Sequence, residues 1–195
     1  MNYVRRPPKD TKTFTLFLSS GSDAAELRDR VEEVVQIVSK QFAEGGSPLR
    51  FEVDRWESTA AQKAPQGAGV NEIFVQRVRN SHLTLVLLFN EIGPGTLEEI
   101  EAALEAKVVQ LAVLWFDTVE QKELSLGALA VKAYLDSHRQ QILYTRITQP
   151  ADSREAWLEI IRVVSSLIAG AVATQGKTTV DEFVEAQMRA GGEPG

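Results

Sequence analysis

Two apolar runs, "HLTLVLLF" at 82–89 and "VVQLAVLWF" at 108–116, constrain this chain more than any other feature. A strand with one wet face alternates apolar and polar residues. These runs do not alternate, as befits strands buried on both faces. Such strands need helices on both sides of their sheet, and strands joined through helices run parallel. The remaining sequence supplies both. "TFTLFLSS" (13–20) reads as a strand, with Phe14, Leu16 and Leu18 on one face and Phe17 on the other. Leu27, Val31, Val34, Val35, Val38 and Phe42 then recur at helical spacing, and "EGGSP" ends that helix. "LRFEVDRW" (49–56) alternates Leu49, Phe51 and Val53 with Arg50, Glu52 and Asp54, which suits an edge strand. Further helices are predicted around "VNEIFVQRVRNS", after "GPG" between the two apolar runs, over about 118–138, and through Trp157, Ile160, Ile161, Val164, Leu167 and Ile168. A more polar strand, "QILYTRIT" (141–148), precedes the last of these.

The alternation of strand and helix predicts an α/β fold in three layers, with five parallel strands and helices on both faces. The first, third and fourth strands are the apolar ones, so they belong in the centre. Order 2-1-3-4-5 satisfies that, which is the flavodoxin-like arrangement. The domain expected spans 13–174, with 1–12 as a basic leader and 175–195 as a short helix and a tail or linker. A chain of 195 residues buries roughly 70% of its surface without a staple. There is no cysteine, which excludes thiol catalysis, cysteine-ligated zinc and disulfides. That fits a reducing compartment, and the expected location is cytoplasmic. No metal site and no membrane span are expected, and a net charge of −6 argues against a nucleic-acid surface.

Order 2-1-3-4-5 places a ligand crevice between strands one and three, beyond their carboxyl ends. The loops bordering it are "SSGSD" and "FNEIGPGT". Ser19, Ser20, Gly21 and Ser22 adjoin a helix N-terminus, which suits a diphosphate, although turn and cap chemistry uses the same residues. Asp23 with Glu26 makes a capping box. Asp54, Arg55 and Trp56 end the second strand, where Trp56 can stack on a base or cover the rim. Phe89 and Asn90 face the crevice from the third strand. "GTLEE" holds Glu98 and Glu99. Thr96 followed by Glu99 is also a capping box, so Glu99 is either helix punctuation or a reacting carboxylate. His82 and His138 stand isolated, and Trp115 reads as core.

"TLFLSSGSD", "VDRWE", "FVQRVRNSHLTLVLLF" and "GTLEEIEAAL" together resemble the TIR and TIR-like domains, particularly those of bacterial anti-phage defence. The resemblance covers about residues 13–150. "GTLEE" also resembles the Gly-Thr-x-x-Glu element of nucleoside deoxyribosyltransferases, which have a related fold. In both comparisons the acid falls on Glu99. Many TIR enzymes carry an aromatic about four residues before that acid, where this chain has Gly95. The resemblance implies cleavage of the nicotinamide–ribose bond of NAD, with NAD as substrate rather than cofactor, Glu99 as the essential carboxylate, and release of ADP-ribose or a cyclic isomer. It also implies activation by self-association or by a sensor domain or partner protein. Two other readings stay open. One is a nucleoside or nucleotide N-glycosidase or deoxyribosyltransferase using the same acid. The other is a TIR-like interaction module in which the acids only cap a helix.

Overall fold

A computed structural model describes residues 12–21, 24–45, 47–55, 70–89, 91–106, 110–117 and 125–190; the side chains of residues 70 and 174–190 lie outside that description. Five strands and five helices alternate along it: β1 (Lys12–Ser20), α1 (Ala25–Glu44), β2 (Leu49–Arg55), α2 (Val70–Asn80), β3 (Leu83–Leu88), α3 (Pro94–Ala106), β4 (Gln110–Phe116), α4 (Leu126–Ser137), β5 (Leu143–Ile147) and α5 (Arg154–Ala190). The strands form one sheet in the order β2-β1-β3-β4-β5, every pairing parallel. The expected fold class and strand order are therefore both found.

The two-period of the strands divides the core into two layers. Phe14, Leu16 and Leu18 of β1, Leu83, Leu85 and Leu87 of β3, and Leu114 and Phe116 of β4 pack on one face. There they meet Val31 and Val35 of α1 and Ile160, Val164 and Leu167 of α5. On the other face Phe17, Val86, Leu88, Val113 and Trp115 meet Val78 of α2, Ile100 and Ala103 of α3, and Val131 and Leu135 of α4. All six residues of β3 are buried, which is why its sequence carries no alternation. Trp115 is core, as its position predicted. The segment Arg154–Ala173 is long and apolar enough, at a mean hydropathy of 1.7, to cross a membrane by those criteria alone. Its apolar stripe instead lies against the sheet.

Two local expectations change. The separate helix predicted near the C-terminus is continuous with α5, which runs unbroken from Arg154 to Ala190. Within α5, Gly170 leaves room for the Gln110 side-chain amide; a Cβ there would stand 2.3 Å from the Gln110 side-chain oxygen. The two histidines are not isolated. His82 Nδ1 accepts the Thr15 N–H at 3.1 Å, closing a gap in the ladder between β1 and β3, and the ring packs on Phe14. His138 ends α4 and bonds through Nδ1 with Tyr134 O and Ser137 Oγ. Both are structural.

Candidate functional site

The carboxyl ends of β1 and β3 lie side by side at the centre of the sheet, where the strand order reverses. Alternation along β1 sends Ser19 to the same face as Phe17, beneath α2 and α3, and Ser20 to the opposite face, toward α1. From α1 the buried Arg28 donates to Ser20 Oγ at 2.8 Å and to the Gly21 carbonyl at 2.7 Å. The loop after β1 is thereby tied down from below by a guanidinium. The α1 N-cap position is Ala24, with no side-chain cap bond, and Asp23 lies outside the described residues.

The helix after β3 does not start where its sequence suggested. Pro94 is its first residue, and the Leu97 N–H already bonds the Gly93 carbonyl at 2.9 Å. Proline suits that position because the first helical N–H has no partner within the helix anyway. Thr96 is therefore inside the first turn and is not the cap. The predicted Thr96–Glu99 capping box is corrected: Glu99 sits in the second turn, out of reach of the helix's free N–H groups. Glu98 and Glu101 point to solvent, while Glu99 turns inward and is half-buried.

There its Oε2 accepts a short hydrogen bond from the hydroxyl of Ser19, a side chain only 2% exposed. Burial raises the Glu99 pKa above its ordinary value of 4.5. The Ser19 hydrogen bond and the Arg77 charge pull it back, and Glu98 adds to the rise. A helix N-terminus favours an ionised acid. The shift runs the other way, because the helix dipole fades beyond the first turn while desolvation does not. In its ionised form, a carboxylate held by a donor can stabilise a nearby positive charge or take a proton from water, and the raised pKa makes it the stronger base.

Two cavities flank the start of α3. One, of about 210 Å³, is bounded by Ser19, Glu99, Thr96, Gly95, Asn71 and Phe74. The other, of about 280 Å³, is bounded by Gly21, Phe89, Glu91, Gly93 and Thr96. Gly93 and Thr96 border both. Phe89 keeps its predicted place and stacks on Phe116, with ring centres 5.5 Å apart. Ser20 and Gly21 also line the rim.

Asp54 and Arg55 are engaged elsewhere and line neither cavity. Arg77 of α2 grips Asp54 through Nε, at 2.9 Å, and through Nη2. Its Nη2 also donates to the Arg55 carbonyl at 2.9 Å. Arg55 bonds Asp29 and Glu32 of α1 at 2.8 Å each. Ser22, Trp56 and Asn90 lie outside the described residues. No group of His, Asp and Glu able to hold a metal occurs among the described residues.

Four site residues escaped the sequence reading: Arg28, Asn71, Phe74 and Arg77. Asn71 and Phe74 share a face of α2 by their spacing, which is legible in sequence. Their approach to α3 is a tertiary fact.

No family model and no curated protein matches the chain. Among solved structures it is similar to the flavodoxin-like domain of a Synechococcus protein, at 10% identity and a TM-score of 0.42, over 78% of this chain and 94% of that one. It is also similar to the rubredoxin oxygen:oxidoreductase of the anaerobe Desulfovibrio gigas, at 7% identity and a TM-score of 0.43, over 83% of this chain and 36% of that one.

Proposed function

We propose that this chain is a TIR-like NAD-consuming enzyme that cleaves the nicotinamide–ribose bond, with Glu99 as its essential carboxylate. The observation that carries the reading is the inward-turned Glu99, hydrogen-bonded to buried Ser19 at the crevice between β1 and β3. Breaking the C1′–N bond sends its electron pair to the pyridinium nitrogen, so nicotinamide leaves neutral and needs no acid. Positive charge develops on the ribose, and a fixed carboxylate beside it lowers the barrier electrostatically. Water then adds at C1′ and loses a proton, giving ADP-ribose. Attack by the adenine nitrogen in place of water gives a cyclic isomer. Ser19 holds Glu99 in one orientation throughout.

Each cavity alone is smaller than the ~300 Å³ at which ligand clefts usually begin. Two lobes meeting at Gly93 and Thr96 suit a ligand with two separable halves. We place the enzyme in the cytoplasm as an immune effector, activated by self-association or by a sensor partner.

The test incubates concentrated protein, with a crowding agent to drive association, with NAD, NADP and several deoxynucleosides, and separates the products by chromatography. Nicotinamide release by wild type and not by Glu99→Gln is the expected result. Free base from a nucleoside instead would transfer the same acid to an N-glycosidase or deoxyribosyltransferase. Equal activity in wild type and Glu99→Gln would end the carboxylate mechanism.

A further inference from the structure

We infer that α2 supplies the wall that recognises the leaving base, with Phe74 as the stacking surface and the Asn71 amide as the hydrogen-bonding edge. The inference rests on the proposed reaction and names the group that reads its substrate.

Asn71 and Phe74 lie one helical turn apart and border the same cavity as Glu99 and Ser19. The carboxylate and hydroxyl bound it from α3 and the sheet, and the amide and aromatic ring from α2. Asn71 is exposed and has no side-chain hydrogen-bond partner among the described residues, so both its donor and its acceptor are available to a ligand. Phe74 is half-buried against the core on this face, and the Arg77 guanidinium sits 5.9 Å from its ring centre. Bidentate contact with Asp54 fixes that guanidinium, so the ring is braced.

Gly95 completes the arrangement. A Cβ at this position would already stand 3.7 Å from Asn71 Oδ1. A large side chain on α3 would therefore occupy the space over which the amide reaches. With glycine there, the wall facing the base comes, among the described residues, from α2. Its chemistry, a flat apolar face beside a paired donor and acceptor, complements a planar nitrogen heterocycle carrying its own donor–acceptor edge. A pyridine carboxamide and a purine both answer that description, and the assay separates them.

The full-length protein is assayed for cleavage of NAD, of its nicotinic-acid counterpart, and of adenosine and inosine. Wild type is compared with Asn71→Ala, Asn71→Gln and Phe74→Leu, and melting temperature is recorded for each. Expected for the substrate that is cleaved is a rise in KM of at least tenfold in Asn71→Ala, with a smaller change in kcat and partial recovery in Asn71→Gln. Discrimination between the paired substrates (carboxamide against carboxylate, or amino against oxo) should collapse with it. Phe74→Leu should raise KM while leaving that discrimination in place. Cleavage with unchanged KM and unchanged discrimination in Asn71→Ala overturns the inference and leaves the proposed reaction standing. If wild type cleaves nothing, nicotinamide and adenine are titrated against wild type and Asn71→Ala by protein-detected NMR. Weaker binding of one base to the variant upholds the α2 wall without the reaction, and equal or no binding overturns both.

Discussion

Replacing Glu99 by glutamine should make the protein more stable at neutral pH while removing its activity. The half-buried carboxylate has lost part of its hydration, and burial outweighs both the Ser19 hydrogen bond and the attraction of Arg77. A charged group accepting one such bond recovers about 1.5–3 kcal/mol. A carboxamide accepts the same bond without a charge to desolvate. The sign follows from the raised pKa. Well below 4.5, the ordinary value, Glu99 is protonated in both folded and unfolded chains, and the variant gains nothing. As pH rises through the higher folded value, ionisation comes at the expense of stability, and the advantage of glutamine grows to a plateau. Discounted for partial exposure, the gain belongs with other functional-site residues that oppose stability, about 0.5–2 kcal/mol. For a chain of this length that is a melting-temperature increase of about 1–8 °C. Thermal melts and urea midpoints of both proteins between pH 5.5 and 8 measure it. A variant less stable than wild type at neutral pH, by an amount independent of pH, would show that the carboxylate is structural and refute the reasoning.

Acidification should weaken the fold through His82. Its pKa is lowered from 6.5, first by burial and then by Lys12, and its Nδ1 must stay unprotonated to accept from Thr15. That stabilisation is complete above pH 6.5 and is lost as pH falls through the lower folded value; the urea midpoint of wild type should therefore fall more than that of His82→Gln. Arg77→Gln removes both bonds to Asp54 and the bond to the β2 carbonyl, and should cost about 1–3 kcal/mol by urea unfolding. It also removes the charge that lowers the Glu99 pKa, so any pH–rate limb due to Glu99 should move upward. Gly95→Ala should raise the melting temperature, with about 0.4–1 kcal/mol gained from the less flexible unfolded chain. Its methyl meets Asn71 at an ordinary contact distance but narrows the cavity, so KM should rise in the same variant.

The sequence by itself determined the architecture. Runs such as "LTLVLL" have one low-energy environment, a strand covered on both faces, and the polar strands then have only the edges left to occupy. Strand order follows from that sorting, and the position of the crevice follows from strand order. Glu99 was legible as a candidate for the same local reason: it lies just after the turn that the third strand feeds.

What Glu99 does there was decided only by tertiary structure. Thr96, three residues before it, matched the spacing of a capping box, and nothing in that spacing shows that Pro94 had already begun the helix. The partner that replaces the cap, Ser19, is 80 residues away in sequence and reaches Glu99 only because β1 lies beside β3. Asp54 and Arg55 looked free for a ligand at the end of an edge strand, and packing supplied Arg77, Asp29 and Glu32 to hold them. Periodicity records which face of an element is buried. Which polar groups then meet across two elements depends on their relative placement, and short-range pattern carries no record of it.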